Sequence, residues 1–435
     1  SWTISGSVLI VSNDYIQTDG DVTLPAATST IGGSFSVSGP GTFDSNNGVL
    51  YFTATDTGND VAFNDSDAAT VLFSGAGGAW SMSDTNATAT TAFTVATGTV
   101  TLPSGVLAVG GDFVVNDTAN HNSGTVRLTD TGGGNVLTLS GNDLNNLVVV
   151  AGGGDYSLTD IAAAFLGDLT ITSGSFTSGS GTVSVGGSFD ASTGTFVNNN
   201  GTILFNSTDT GETIDPGAND FYNVLIAGAG GGWTISTNAT ATNNFTLSTG
   251  NSFTQASATR LYVGNVFQNT LGGSATEWIG SRLVLDGTNA YETNLKTTPT
   301  EQYNILEFGG NTDISSWNSA ATSTIVPSTS SWYSQDHAGA NGDLYIYGDY
   351  SISTTTEYWS YATDFDGTAL GGSPRAVDVQ IASSSMVTVN GGTLNMIGIA
   401  NSTTTVTNQG AGRYSFRVES GTFNADYYSY RNLDP

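Results

Sequence analysis

The residues best equipped for chemistry gather in one stretch of the chain, where Asp336, Glu357, Asp364 and Asp366 lie near Trp332 and Trp359. Two carboxylates flanking a glycosidic bond are the minimum for hydrolysing a neutral glycan, and flat aromatic faces hold sugar rings. The same stretch contains Asp364-Phe365-Asp366-Gly367, half of a calcium loop without the third acid and the distal Glu that complete an oxygen shell. Asp364 and Asp366 are therefore the candidate metal ligands, with Ca2+ the ion they would take. Trp332 and Trp359 are the candidate glycan contacts.

Other acids recur once per repeat, in Thr55-Asp56-Thr57-Gly58, Thr129-Asp130-Thr131-Gly132 and Ser207-Thr208-Asp209-Thr210-Gly211. Turn chemistry accounts for them, because Asp bonds the backbone two residues on and Gly supplies a positive φ. Asp14, Asp19 and Asp21 read the same way. His121 and His337 lie far apart beside Asn, Gly or Ser, and neither has the nucleophile and orienting acid of a triad, so both read as loop residues. No catalytic residue is assigned, and the chain reads as a non-enzyme. Among several Asn-X-Ser/Thr sequons, Asn86 and Asn238 are the candidate glycosylation sites, since Thr85-Asn86-Ala87-Thr88-Ala89-Thr90 repeats as Thr237-Asn238-Ala239-Thr240-Ala241-Thr242.

The elements that must carry these residues follow from composition and period. Of 435 residues 57 are Gly and none is Cys, and 8 basic against 37 acidic residues leave a net charge of −29. Such an Asp-, Asn-, Ser-, Thr- and Gly-rich alphabet disfavours helices and favours strands and turns. Scattered cations exclude a basic nucleic-acid surface and argue against acidic polysaccharides as substrates. No apolar run is long enough to form a membrane-spanning helix. The absence of Cys suits an exposed, oxidising location.

One phrase recurs as Gly32-Gly33-Ser34-Phe35, Gly110-Gly111-Asp112-Phe113, Gly186-Gly187-Ser188-Phe189 and Gly264-Asn265-Val266-Phe267, with nearly constant Phe spacing. A second, Gly75-Ala76-Gly77-Gly78-Ala79-Trp80, returns near Tyr156 and Trp233, and Trp2-Thr3-Ile4-Ser5 matches Trp233-Thr234-Ile235-Ser236. These aromatics, one per unit, read as packed columns and not as a sugar platform. Between the anchors lie short alternating runs such as Val49-Leu50-Tyr51-Phe52, punctuated by Gly, Asn and Asp. The pattern predicts an all-β parallel β-solenoid built from repeats of about 77 residues, each of several coils. The alternative is a tandem array of β-sandwiches, disfavoured because no linker separates the units. Residues 1–280 read as regular solenoid and 281–435 as a divergent continuation, with loop insertions at about 311–340 and 354–374.

The phrases Phe221-Tyr222-Asn223-Val224-Leu225-Ile226, Asp168-Leu169-Thr170-Ile171-Thr172-Ser173-Gly174-Ser175-Phe176-Thr177 and Val185-Gly186-Gly187-Ser188-Phe189 resemble those of secreted bacterial repeat proteins of the filamentous-haemagglutinin and adhesin type. The resemblance implies a right-handed parallel β-helix on a cell surface, used as stalk, adhesin or matrix fibre. It carries over no catalytic residue. The function expected is a secreted structural subunit that pairs head to tail with copies of itself into a filament, fibre or stalk. The alternatives are a monomeric adhesin binding cell-surface glycans through the later loops and a carbohydrate-active β-helix enzyme.

Overall fold

The computed structural model describes residues 1–271, 275–278, 281–285, 305–308, 343–346, 350–352, 356–359, 378–384, 386–398, 400–401 and 403–434. Every regular element among them is a β-strand, and the strands pair in parallel, which excludes the antiparallel sandwich array. Among the described residues no helix is long and apolar enough to cross a membrane. The chain divides into two compact units, Ser1–Leu204 and Phe205–Pro435.

In the first unit each coil has three faces. The first coil places Trp2–Thr3 on face one, Val8–Val11 on face two and Tyr15–Gln17 on face three. Strands one coil later stack on these in register, Trp2 on Val22, Leu9 on Ser29 and Tyr15 on Phe35. The column then continues from Leu9 and Ser29 through Leu50, Val71, Phe93 and Phe113, one partner per coil and at nearly even intervals along the chain. Alternation does the rest: in Val49–Phe52, Leu50 and Phe52 are buried while Val49 and Tyr51 are half-exposed. Inward aromatics stack coil on coil, with ring centroids 4.7 Å apart for Phe52 and Phe73 and 5.4 Å for Phe93 and Phe113. Where strands stack in this way, their backbone groups pair from one coil to the next.

The repeat does not correspond to a whole number of coils. Phe35 lies on face three, stacked on Tyr15, Phe113 on face two, stacked on Phe93, and Phe189 on face one, stacked on Leu169. From Phe35 to Phe113, one period of the phrase, the chain passes eleven faces, which is three coils and two faces more. The second phrase rotates likewise: Trp2 is on face one, Trp80 on face three and Tyr156 on face two. The expected aromatic columns are therefore corrected to a helical stagger, which spreads the largest side chains around the core.

The Gly-rich phrase exists to let backbone pass over an indole. A Cβ at Gly78 would lie 2.7 Å from Cη2 of Trp80, and one at Gly98, on the following coil, 2.8 Å from Cζ3. In the second unit Gly231 stands in the same relation to Cη2 of Trp233. Both rings are fully buried and their Nε1–H groups meet no acceptor among the described residues, so close packing is what holds them.

Corners repeat as well. At Ser45–Gly48, His121–Gly124 and Asn198–Gly201 two residues of positive φ are closed by a bond from the Gly N–H to the carbonyl three residues earlier, at 2.7, 2.9 and 2.9 Å. This is the type I′ form, which favours Asn and Gly at these positions.

The second unit is built the same way, in parallel columns such as Asn223–Ala227, Phe245–Thr249 and Phe267–Asn269. Along another column Leu261, Leu283 and Leu306 follow one another at single-coil intervals, whereas Leu344 and Val379 each arrive only after a much longer connection. Residues 311–340 and, apart from the strand Thr356–Trp359, 354–374 lie outside the described residues.

Candidate functional site

Asp336, Asp364, Asp366, Trp332 and His337 lie outside the described residues. Trp359 closes the strand Thr356–Trp359, with Glu357 inside it, and pairs with Met396.

Several of the other acids serve the backbone. Asp14 accepts the Ser34 N–H at 2.8 Å, Asp168 that of Ser188 at 2.8 Å and Asp112 that of Val136 at 2.9 Å. Asp84 accepts the N–H groups of Phe63 and Asn64, and Asp160 those of Leu139 at 2.6 Å and Ser140 at 2.9 Å. Each bond spans about one coil, so a carboxylate at a corner satisfies a backbone donor of the neighbouring coil where the sheet ladder is interrupted. Charge-assisted bonds of this kind are stronger than neutral ones. Asp19 and Asp21 are spent similarly, on Gly20 N–H and the Thr42 hydroxyl. Among the described residues no three His, Asp or Glu side chains come together as a metal shell.

The recurrent Asp-Thr-Gly turns behave as turns. Gly58 and Gly211 take φ of +90° and +95°, while in the middle copy Gly134, two residues beyond the motif, takes +83°. Asp130 accepts the Asn135 side-chain N–H at 2.8 Å. That bond, followed by those from the Gly132 and Thr131 backbone, holds its carboxyl below the ordinary Asp value. A depressed carboxyl contributes stability that is complete above the unfolded value of about 3.9 and is lost as pH falls through the lower folded value. Asp130→Asn should therefore lower stability at neutral pH and flatten the acid limb of the stability curve, variant and wild type converging below about pH 4; denaturation midpoints against pH test this.

Both sequon asparagines precede a strand and are exposed. The Oδ1 of Asn86 accepts the Val106 N–H and that of Asn238 the Arg260 N–H, each at 2.8 Å. They are coil-bridging corner residues, like the acids. Tyr156, standing where the other copies have Trp, accepts the Asp130 N–H at 3.1 Å and donates to the Val109 carbonyl at 3.4 Å, and burial pushes its hydroxyl pKa up.

The outermost coils are what composition could not reveal. Trp2 stacks on Val22 in an inward register yet is 76% exposed, and Leu9, Val11 and Tyr15, also inward, are only half-buried. On the last described coil Phe416, Val418 and Phe423 continue the columns of Val387, Val389 and Leu394, all fully buried. There Val418 is 47% exposed, and Phe416 and Phe423 pack with Tyr428 and Tyr430 in an aromatic cluster with centroids 5.0 to 6.4 Å apart. These side chains face inward, and among the described residues no coil stacks beyond them. Around the first coil Val8, Ile10 and Ile16 add outward apolar exposure, where the next coil carries Thr28, Thr30 and Ser36.

The chain matches no protein-family model, and no curated protein or solved structure shows significant similarity to it. It is a β-helical repeat protein on the evidence of its own coils.

Proposed function

We propose that this chain is a structural subunit, secreted or displayed on a cell surface, that stacks the last coil of one copy on the first coil of the next. The haemagglutinin and adhesin type named from the repeat phrases belongs to this reading. Its support is the apolar inward side chains on the outermost described coils: Trp2, Leu9, Val11 and Tyr15 on one and Phe416, Val418, Phe423, Tyr428 and Tyr430 on the other. An open parallel edge also presents strand N–H and C=O groups that pair with an incoming strand. Joining unlike ends is heterologous and does not close, so it propagates as a filament. Covering each apolar side chain contributes about 2 kcal/mol, and the absence of Cys leaves burial and strand pairing to hold the joint.

Negative-stain imaging of the wild type at rising concentration is expected to show filaments of uniform width. The double variant Leu9→Lys and Val11→Lys places two charges in the open core and should leave single particles with an unchanged far-ultraviolet spectrum. Wild-type particles that stay separate at the highest concentration, or a variant that still polymerises, would overturn the reading.

A further inference from the structure

On face three one rung of the sheet is missing. The strand Thr118–Asn120 is followed on that face not by another strand but by the turn Leu139–Asn142, and only an isolated bridge, Leu144 to Phe165, resumes the stacking. Asn142 partly replaces the rung, its Oδ1 accepting the Ala119 N–H at 2.9 Å and its Nδ2 donating to the carbonyls of Asp117 and Leu139, both at 2.7 Å. What remains beside it is an open hollow of about 320 Å3 lined by Thr118, Asn120, His121, Asn122, Asn142 and Asp143. That volume falls at the lower end of the range for small-ligand sites.

The polar atoms left over define a ligand. His121 Nδ1 accepts the Ser123 N–H at 3.0 Å, so its ring proton sits on Nε2 and is available as a donor. Asn120 and Asn122 use their Nδ2 groups on Thr101 and Leu102, leaving their Oδ1 atoms as acceptors. Asp143 is exposed, and no bond within the described residues engages its carboxylate. One donor among several acceptors, one of them charged, is complementary to a ligand that brings many hydroxyl donors and no negative charge. We infer that this hollow is a binding site for a neutral saccharide, held by hydroxyl bonds to Asp143, Asn120 and Asn122 and by the Nε2–H of His121. It lies on the flank of the regular coils, independent of the open ends, so a subunit in a filament would keep it accessible.

With only two histidines in the chain, His121 and His337, proton NMR of the imidazole resonances reads the site directly. Cellotetraose, maltotetraose and chitotetraose are titrated separately into the intact protein, with tetragalacturonate as the anionic counterpart. At least one neutral sugar should shift one imidazole resonance saturably, and that resonance should be the one absent from His121→Gln. Asp143→Asn should weaken the same sugar roughly tenfold, the loss expected for one bond to a charged group, with an unchanged far-ultraviolet spectrum. No shift with any neutral sugar, a shift confined to the resonance that persists in His121→Gln, or tighter binding of tetragalacturonate would each overturn the inference.

Discussion

Gly78→Ala is expected to cost about 3 kcal/mol or more, among the largest effects any single methyl group could have in this protein. The added Cβ would sit 2.7 Å from Cη2 of Trp80 and closer still to the Ala54 carbonyl oxygen, so both a ring and a neighbouring coil's backbone must move. Neither can move cheaply: Trp80 is fully buried against Phe73, and the Ala54 backbone belongs to the preceding coil. Gly58→Ala isolates the other glycine role, because its φ is +90° but its Cβ would meet nothing within 4 Å, and it should cost only the left-handed strain of about 1–2 kcal/mol. In a Trp80→Leu background Gly78→Ala should cost less than in wild type but still destabilise, since the carbonyl contact persists. Repeat arrays need not unfold in two states, so denaturation is best followed by tryptophan fluorescence and circular dichroism together. Equal midpoints for Gly78→Ala and Gly58→Ala would show that close approach is not the reason for the phrase.

Asp160→Ala should cost about 2 kcal/mol, because it strands two backbone N–H groups that now share one carboxylate. Leu139 is fully buried, so its N–H has no ready replacement. Asp160→Asn keeps one acceptor but turns an NH2 group toward the second donor, and should lie between wild type and Ala. Hydrogen exchange gives the local readout: the Leu139 and Ser140 amides should exchange faster in both variants, while amides in Val49–Phe52 keep their wild-type rates. A uniform rise along the chain, or none, would contradict the bracket role. That role gives the many aspartates a structural purpose, since each short carboxylate can reach one coil away and the longer Glu is used sparingly.

Strand and turn were legible in the sequence because they are local, and coil stacking because the phrases recur with no linker between units. Alternation in Val49–Phe52 dictates which side chains turn inward, and Asn46-Asn47-Gly48 dictates a left-handed corner, whatever the rest of the chain does. The recurrent phrases carried the repeat for the same reason. How that repeat maps onto space was not legible: the interval from Phe35 to Phe113 counts eleven faces, and the number of faces per coil is a property of closure that no single phrase encodes. Hence Trp2, Trp80 and Tyr156 occupy three different faces although their sequence contexts are alike. The tasks of Asp84, Asp160 and Asn142 depend on donors a full coil away, and the open hollow at His121 depends on a rung that fails to form between Asn120 and Ala163. Exposure of Trp2 and Val418 is likewise decided by stacking, because an inward side chain is buried only when another coil lies on both sides of it.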